Sequence, residues 1–188
     1  MIEIELKIPI EESEISPLLQ KIANLPEFKS GERLYEKNVM YDNPNELMIK
    51  TDGRIRLRQT GEKVELCYKK PLKDESGIKK EIEYEVNTTS FEITEKILNM
   101  MEFTPFSSYD RYRTKIKGMD TIITIDEYPF QSFVEVEGAE IDIRKVALLL
   151  GLNIGNNTNL PCDTLFTEWR KSRNLPIKYN MTFADYDK

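Results

Sequence analysis

Apolar and charged positions alternate along the first stretch of the chain, where Ile2, Ile4 and Leu6 are interleaved with Glu3, Glu5 and Lys7. A period of two predicts an extended strand whose two faces meet different surroundings. The alternation recurs. Arg54, Arg56 and Arg58 share a face against Ile55 and Leu57, and Glu65, Cys67 and Lys69 oppose Leu66 and Tyr68. Glu81, Glu83 and Glu85 oppose Ile82, Tyr84 and Val86, while Arg111, Arg113, Lys115 and Lys117 oppose Tyr112, Thr114 and Ile116. Glu135 and Glu137 oppose Val134 and Val136, and Asp126 continues the weaker register of Ile122 and Thr124.

Between these strands the period becomes helical. Ile15, Leu18, Leu19 and Ile22 predict a helix that starts at Ser13 or Glu14, with Pro17 in its first turn. Residues 90–103 predict a second, capped by Ser90, with Phe91, Ile97, Leu98 and Met101 as its buried stripe. A third ends at Gly151, and a last one over residues 162–174 precedes a polar, extended tail at 175–188. Thr60-Gly61 and Gly118-Met119-Asp120 predict hairpin turns, and residues 153–161 a loop. The sum is one α+β domain over residues 1–188, with roughly eight mostly antiparallel strands and three or four helices. Such a set closes most simply into a barrel or a sandwich with helices packed outside.

Composition narrows the chemistry. A chain of 188 residues is long enough to bury a core, and a net charge of −6 argues against a general attraction to nucleic acid or an anionic membrane. The absence of histidine excludes Ser-His and Cys-His nucleophiles and His-ligated zinc. Cys67 and Cys162 have no metal-ligand spacing and read as reduced packing residues of a cytoplasmic protein, with a single disulfide between them left open by the sequence. No signal peptide is expected, and the longest apolar run, Val146–Leu150, is far too short to span a bilayer.

The charged strand faces carry the functional signal. A wet face ordinarily mixes polar residues and both signs of charge, whereas these strands carry runs of one sign. The apolar faces can instead pack under the helices, which turns the charged faces into the lining of a closed lumen. Glu3, Glu5, Glu81, Glu83, Glu85, Asp126, Glu135 and Glu137 would then face Lys7, Arg54, Arg56, Arg58, Lys69, Arg111, Arg113, Lys115 and Lys117. Clustered carboxylates without histidine suit a hard cation such as Mg²⁺ or Mn²⁺, and clustered guanidiniums suit phosphate oxygens. Together they describe a metal–polyphosphate site. The competing arrangement, a purely internal salt-bridge lattice, would carry a large desolvation cost for no stability gain over an apolar core. None of the eight glycines opens a P-loop, so side chains would hold the phosphates.

With those residues in view, the chain resembles the CYTH, or triphosphate tunnel metalloenzyme, superfamily. Glu3, Glu5 and Lys7 match its E-x-E-x-K signature, "RIRLR" its L-R-x-R strand, and "CYKKP" its Y-K-G-P stretch, with Lys70 in place of glycine. "EIEYE", "DRYR" and "TIDEYPFQSFVEVEG" resemble later blocks, the last with Gln131-Ser132 in place of Leu-Gly. The resemblance implies a closed eight-stranded antiparallel tunnel with helices outside and a small-molecule triphosphate as substrate. It implies Glu3, Glu5, Glu135 and Glu137 as metal ligands, and Lys7, Arg56, Arg58, Lys69, Arg111 and Arg113 on the phosphates. Glu5, Lys7, Glu83 and Asp126 are its candidate catalytic residues. The nucleophile it implies is water, giving triphosphate hydrolysis, or a ribose 3′-hydroxyl, giving cyclic AMP as in class IV adenylate cyclases. A non-catalytic polyphosphate sensor would keep the cations and lose carboxylates, but both E-x-E pairs are intact. Whether the chain forms a homodimer stays open.

Overall fold

In the computed structural model, which describes residues 2–72 and 79–185, every alternating segment forms a strand. Ile78, where the fifth strand was expected to begin, and the end of the expected tail lie outside the described residues. The strands are β1 (Ile2–Ile10), β2 (Phe28–Asp42), β3 (Arg54–Thr60), β4 (Lys63–Pro71), β5 (Lys79–Thr88), β6 (Thr104–Gly118), β7 (Thr121–Glu127) and β8 (Ser132–Glu137). They close into a barrel in the order β1-β5-β4-β3-β2-β6-β7-β8, with every neighbour antiparallel. Closure leaves no free sheet edge. The hairpin turns fall where the sequence places them, with Met119 and Asp120 both left-handed (φ 50° and 55°), the conformation a tight β6–β7 turn requires.

The apolar strand faces point outward and the helices cover them. Helices α1 (Glu12–Ala23) and α4 (Glu140–Leu150) bury Leu6, Ile8, Ile123, Ile125, Val134 and Val136. A one-turn helix, α2 (Leu47–Lys50), follows β2, and α3 (Phe91–Met100) packs on Val39, Tyr41, Leu57 and Val64. The last helix, α5 (Cys162–Ser172), joins Tyr128, Phe130 and Phe133 through Phe166. The outer face of β5 is the exception, with Tyr84 65% and Val86 57% exposed.

Four details differ from the sequence reading. Helix α1 starts earlier, at Glu12, because Glu14 reaches back to accept the Glu11 backbone N–H at 2.8 Å. Pro17 therefore sits inside the helix, on its exposed side, where the carbonyl it leaves unpaired can meet water. In α3, Ser90 is the cap as expected, but Ile97 and Met101 are 55% and 61% exposed. Leu98 and Thr94 carry the buried face. Helix α2 escaped notice because its start is fixed by a side chain: buried Asp42 accepts from the backbone N–H groups of Met48 (2.9 Å) and Ile49 (3.1 Å). The expected loop contains a 3₁₀ turn at Ile154–Asn156 and is tied to β1, the Thr158 N–H donating to the Lys7 carbonyl at 2.9 Å.

The segment after α5 is docked. Met181 is 2% exposed and pairs in parallel with Tyr109, covering the part of β6 that extends beyond β7. Leu98→Ala should destabilise the protein by about 2–5 kcal/mol, whereas Ile97→Ala should cost about 0.5 kcal/mol or less. Chemical denaturation of the two variants distinguishes the observed α3 face from the expected one.

Candidate active site

The lumen is a cavity of about 890 Å³. Strand register decides which charges meet there, because directly opposed residues share a face. Lys7 lies opposite Glu135 and Glu5 opposite Glu137 across β1–β8. Arg113 opposes Asp126, Arg58 opposes Glu65, and Arg111 opposes Glu36. Most of these register partners are also ion pairs.

Three carboxylates break that pattern. Glu3, Glu5 and Glu137 each bring a ligand atom within 4.8 Å of the others. Burial, and then the nearby charge of Glu3, push the Glu137 carboxyl up to about 7. Burial also raises Glu3, against the pull of Lys69, whose Nζ lies 2.5 Å from its Oε2. Burial and Glu135 push Glu5 upward too, but Lys79, Lys7 and Lys69 outweigh them and leave it below the usual carboxylate range. A hard divalent cation would relieve the repulsion, and an all-oxygen donor set suits Mg²⁺ or Mn²⁺. Glu135, the fourth residue of the expected set, is turned toward cations. Its carboxylate meets Lys7 Nζ at 3.1 Å and Arg113 Nη2 at 2.8 Å. Burial opposes its ionisation, yet Lys7 and Arg113 hold it well below the usual range.

The cationic wall lies on β3, β4 and β6. Arg111 donates from Nε to Glu36 at 2.6 Å and from Nη1 to Asp126 at 2.9 Å. Arg113 donates to Asp126 and Glu135. Asp126 is fully buried beneath these two guanidiniums. Arg58 is held by Glu65 and Glu85, and Lys69 lies between Glu3 and Glu83. Glu83 also accepts from the Cys67 thiol at 3.2 Å. Arg56 differs from its neighbours: it is in no ion pair among the described residues. Its Nη1 reaches the Tyr109 hydroxyl at 3.4 Å, and its buried Nε has no partner. Cys67 and Cys162 are both free thiols.

All the sequence-expected site residues except Asp126 line the cavity. Lys115 joins them, whereas Lys117, also expected inside, does not. Sequence reasoning missed Glu36, Lys79, Tyr109 and Tyr128. The signal for Glu36 was its parity with Glu32, Leu34 and Met40, which also face the lumen; the apolar members hid it. Cys162 and Phe166 of α5, with Tyr179 and Met181 of the closing segment, complete one wall.

The sequence profile of the CYTH domain family matches residues 1–150. The chain belongs to the CYTH domain family. The inward-facing charges described above therefore sit on a CYTH barrel, while α5 and the closing segment lie beyond the matched region. No match was found among curated proteins. Among solved structures, a Vibrio parahaemolyticus protein described as a candidate adenylate cyclase is 16% identical, with a TM-score of 0.72 over 88% of this chain and 98% of that one. The PH1012 protein of Pyrococcus horikoshii is 18% identical, with a TM-score of 0.71 over 85% and 96%. HpAC1 of Hippeastrum, a candidate adenylyl cyclase with a dominant triphosphatase activity, is 18% identical, with a TM-score of 0.65 over 95% and 99%. No helix among the described residues is long and apolar enough to cross a membrane.

The raised Glu137 carboxyl sets a pH dependence. Between 4.5, its ordinary value, and about 7, the folded protein holds a proton there that the unfolded chain has lost. Its contribution to stability is thus complete below that window and is lost as pH rises through it. Without divalent metal, the melting temperature of wild type relative to Glu137→Gln should fall from pH 5 to pH 7.5. Saturating Mg²⁺ should flatten that difference, because metal binding requires the ionised carboxylate.

Proposed function

We propose that this CYTH protein is a divalent-metal-dependent enzyme that hydrolyses triphosphate compounds held in its barrel. The observation that carries this reading is the pairing of two groups in one cavity: the carboxylate cluster of Glu3, Glu5 and Glu137, in which Glu137 is in no ion pair among the described residues, and the Arg56 guanidinium, which has no carboxylate partner among them. Each costs stability in the free protein, and a metal–triphosphate ligand relieves both.

Glu3, Glu5 and Glu137 would hold the cation, which supplies charge neutralisation and polarisation of the phosphate oxygens. Arg56, Arg58, Arg111, Arg113 and Lys69 bind and orient the phosphate chain and take up charge that develops on the leaving oxygens. Lys7, between Glu5 and Glu135, ties the acidic corner to the cationic wall. Asp126 acts through Arg111 and Arg113 as a positioning residue, and Glu135 does the same for Arg113 and Lys7. Water attacks the terminal phosphorus, the bridging P–O bond breaks toward the diphosphate, and a carboxylate takes the water proton. Glu83 fills that last role: it lines the cavity and stays ionised at neutral pH, since Lys69 outweighs the effect of burial.

Purified protein incubated with ATP or inorganic triphosphate and Mg²⁺ or Mn²⁺ should release inorganic phosphate and lose turnover in excess chelator. Cyclic AMP with pyrophosphate as the main products would assign adenylate cyclisation instead, and metal-independent turnover would remove the metal from the account. Arg56→Ala should weaken triphosphate binding by about 1.5–3 kcal/mol, the scale of hydrogen bonds to charged groups. Its melting temperature should hold or rise, since the substitution breaks no ion pair. Calorimetric titration and a thermal melt check the two halves.

A further inference from the structure

The outer face of the barrel is covered unevenly. Strands β1 and β8 bury their apolar side chains under α1 and α4, and β3 does so under α3. Strands β5 and β4 lie between β1 and β3 in the closed order and carry the same outward apolar pattern. Across these two strands Leu66 opposes Val86 and Tyr68 opposes Tyr84. Tyr84 and Val86 are largely exposed, and Leu66, Tyr68 and Ile82 are only half-buried. Ile2, which lies opposite Ile82 at the start of β1, is exposed as well and extends the patch.

Helix α3 forms a ridge beside this floor. One of its flanks is tied to β2: the Tyr41 hydroxyl donates to Glu95 at 2.9 Å, and Lys37 Nζ lies 4.9 Å from the centre of the Phe91 ring. Thr94 and Leu98 face the sheet. At about 100° per residue, Ile93, Ile97 and Met101 recur on the flank away from Phe91 and Glu95. Since β2 and β4 lie on either side of β3, that flank is turned toward β4 and β5. All three side chains are more than half exposed, and so is Met100 at the end of the helix. An apolar ridge thus stands beside an apolar floor, and no helix among the described residues buries either.

We propose that this surface is a homodimer interface, in which α3 of each copy packs on the β4–β5 face of the other about a two-fold axis. A two-fold interface uses one patch that complements itself. Here each copy offers both the ridge and the floor that receives it. The size fits: the patch exposes on the order of 800 Å², about what one partner contributes to a standard interface and more than a typical monomer leaves bare. Its make-up fits as well, with tyrosine, methionine and aliphatic side chains at the centre and Lys70 and Lys80 at the rim beside Ile82. Glu92 and Lys96, on the outer side of α3, pair with each other at 2.6 Å and leave no excess charge there to attract an anionic surface. Association through this face does not depend on which reaction the lumen performs. It would back one wall of the site, since β4 and β5 carry Lys69 and Glu83 on their inner faces. The small stability cost expected of Ile97→Ala belongs to the dissociated chain, at concentrations below the dissociation constant of the dimer.

The test is sedimentation velocity of the intact protein across roughly 1–100 μM, where a concentration-dependent dimer shows itself. Wild type should sediment as a dimer at the upper concentrations. Ile97→Glu and Tyr84→Lys each put a charge into the patch and should weaken association at least roughly tenfold, leaving monomers. Their circular dichroism spectra should match wild type, because both side chains are exposed in the single chain. An equal mixture of the two variants should dimerise again, since the ridge of one copy meets the floor of the other and the introduced charges are opposite. Met100→Glu and Val86→Lys, at positions just as open, take the place of either variant that fails to fold. A monomeric wild type across that range would overturn the interface, and its binding to phosphatidylcholine vesicles would assign the patch to a membrane instead. A dimer that persists in both variants would overturn this face as the contact. Folded, monomeric variants that do not reassociate when mixed would overturn the two-fold packing of α3 on β4–β5.

Discussion

A charge turned into a closed barrel must find a counter-charge, since an unpaired ion there loses hydration worth several kcal/mol. That constraint organises this molecule. Strand register meets it for most of the lumen by setting opposite signs directly across from one another, as in Lys7 with Glu135 and Arg113 with Asp126. The places where it is not met are therefore informative. Glu137, beside Glu3 and Glu5, is in no ion pair among the described residues, and Arg56 Nε and Arg111 Nη2 are buried donors left unused. One cavity thus holds a carboxyl with no cation bound to it in an ion pair and a guanidinium with no carboxylate, among the described residues.

The helices make that arrangement possible. They bury the outward apolar faces that in another barrel would fill the interior, so the core lies between sheet and helices and the lumen is free for polar chemistry. The cores under α1, α4 and α3 belong mostly to the CYTH-matched region, which ends at residue 150. Helix α5 and the docked segment at Met181 come after it and close the wall where β7 and β8 fall short of β6. Two of the aromatic side chains that line that end, Phe166 and Tyr179, come from this part of the chain.

The strands and most of the site were legible in the sequence because the signal was redundant. Runs such as Arg54, Arg56, Arg58 and Glu81, Glu83, Glu85 repeat one sign at a period of two, and the hairpin turns fix their neighbours. What stayed hidden depends on geometry that the period does not encode. On β2 the inward face mixes Glu32 and Glu36 with Leu34 and Met40, so no unbroken run of charge marks it. Lys79 became visible only once register set it opposite Glu5. The α3 stripe was half right: Leu98 is buried and Phe91 packs beside it, while Ile97 and Met101 face outward, a choice that apolar character alone does not make. Likewise the burial of Asp126 behind the cavity wall, where Arg111 and Arg113 close over it, is set by tertiary contacts that the period does not show.

The central claim is that the lumen charges are arranged for a ligand and not for each other. A thermal melt of the intact protein against rising inorganic triphosphate, with Mg²⁺ present, addresses it directly. Binding to the folded state alone raises stability with ligand concentration, by about 2.7 kcal/mol at a hundred times the dissociation constant. The account predicts a melting temperature that climbs with triphosphate, climbs less without the metal, and does not respond to sulfate at equal ionic strength. A melting temperature unmoved by triphosphate and Mg²⁺ together would contradict it, leaving the lumen as a self-contained lattice of ion pairs.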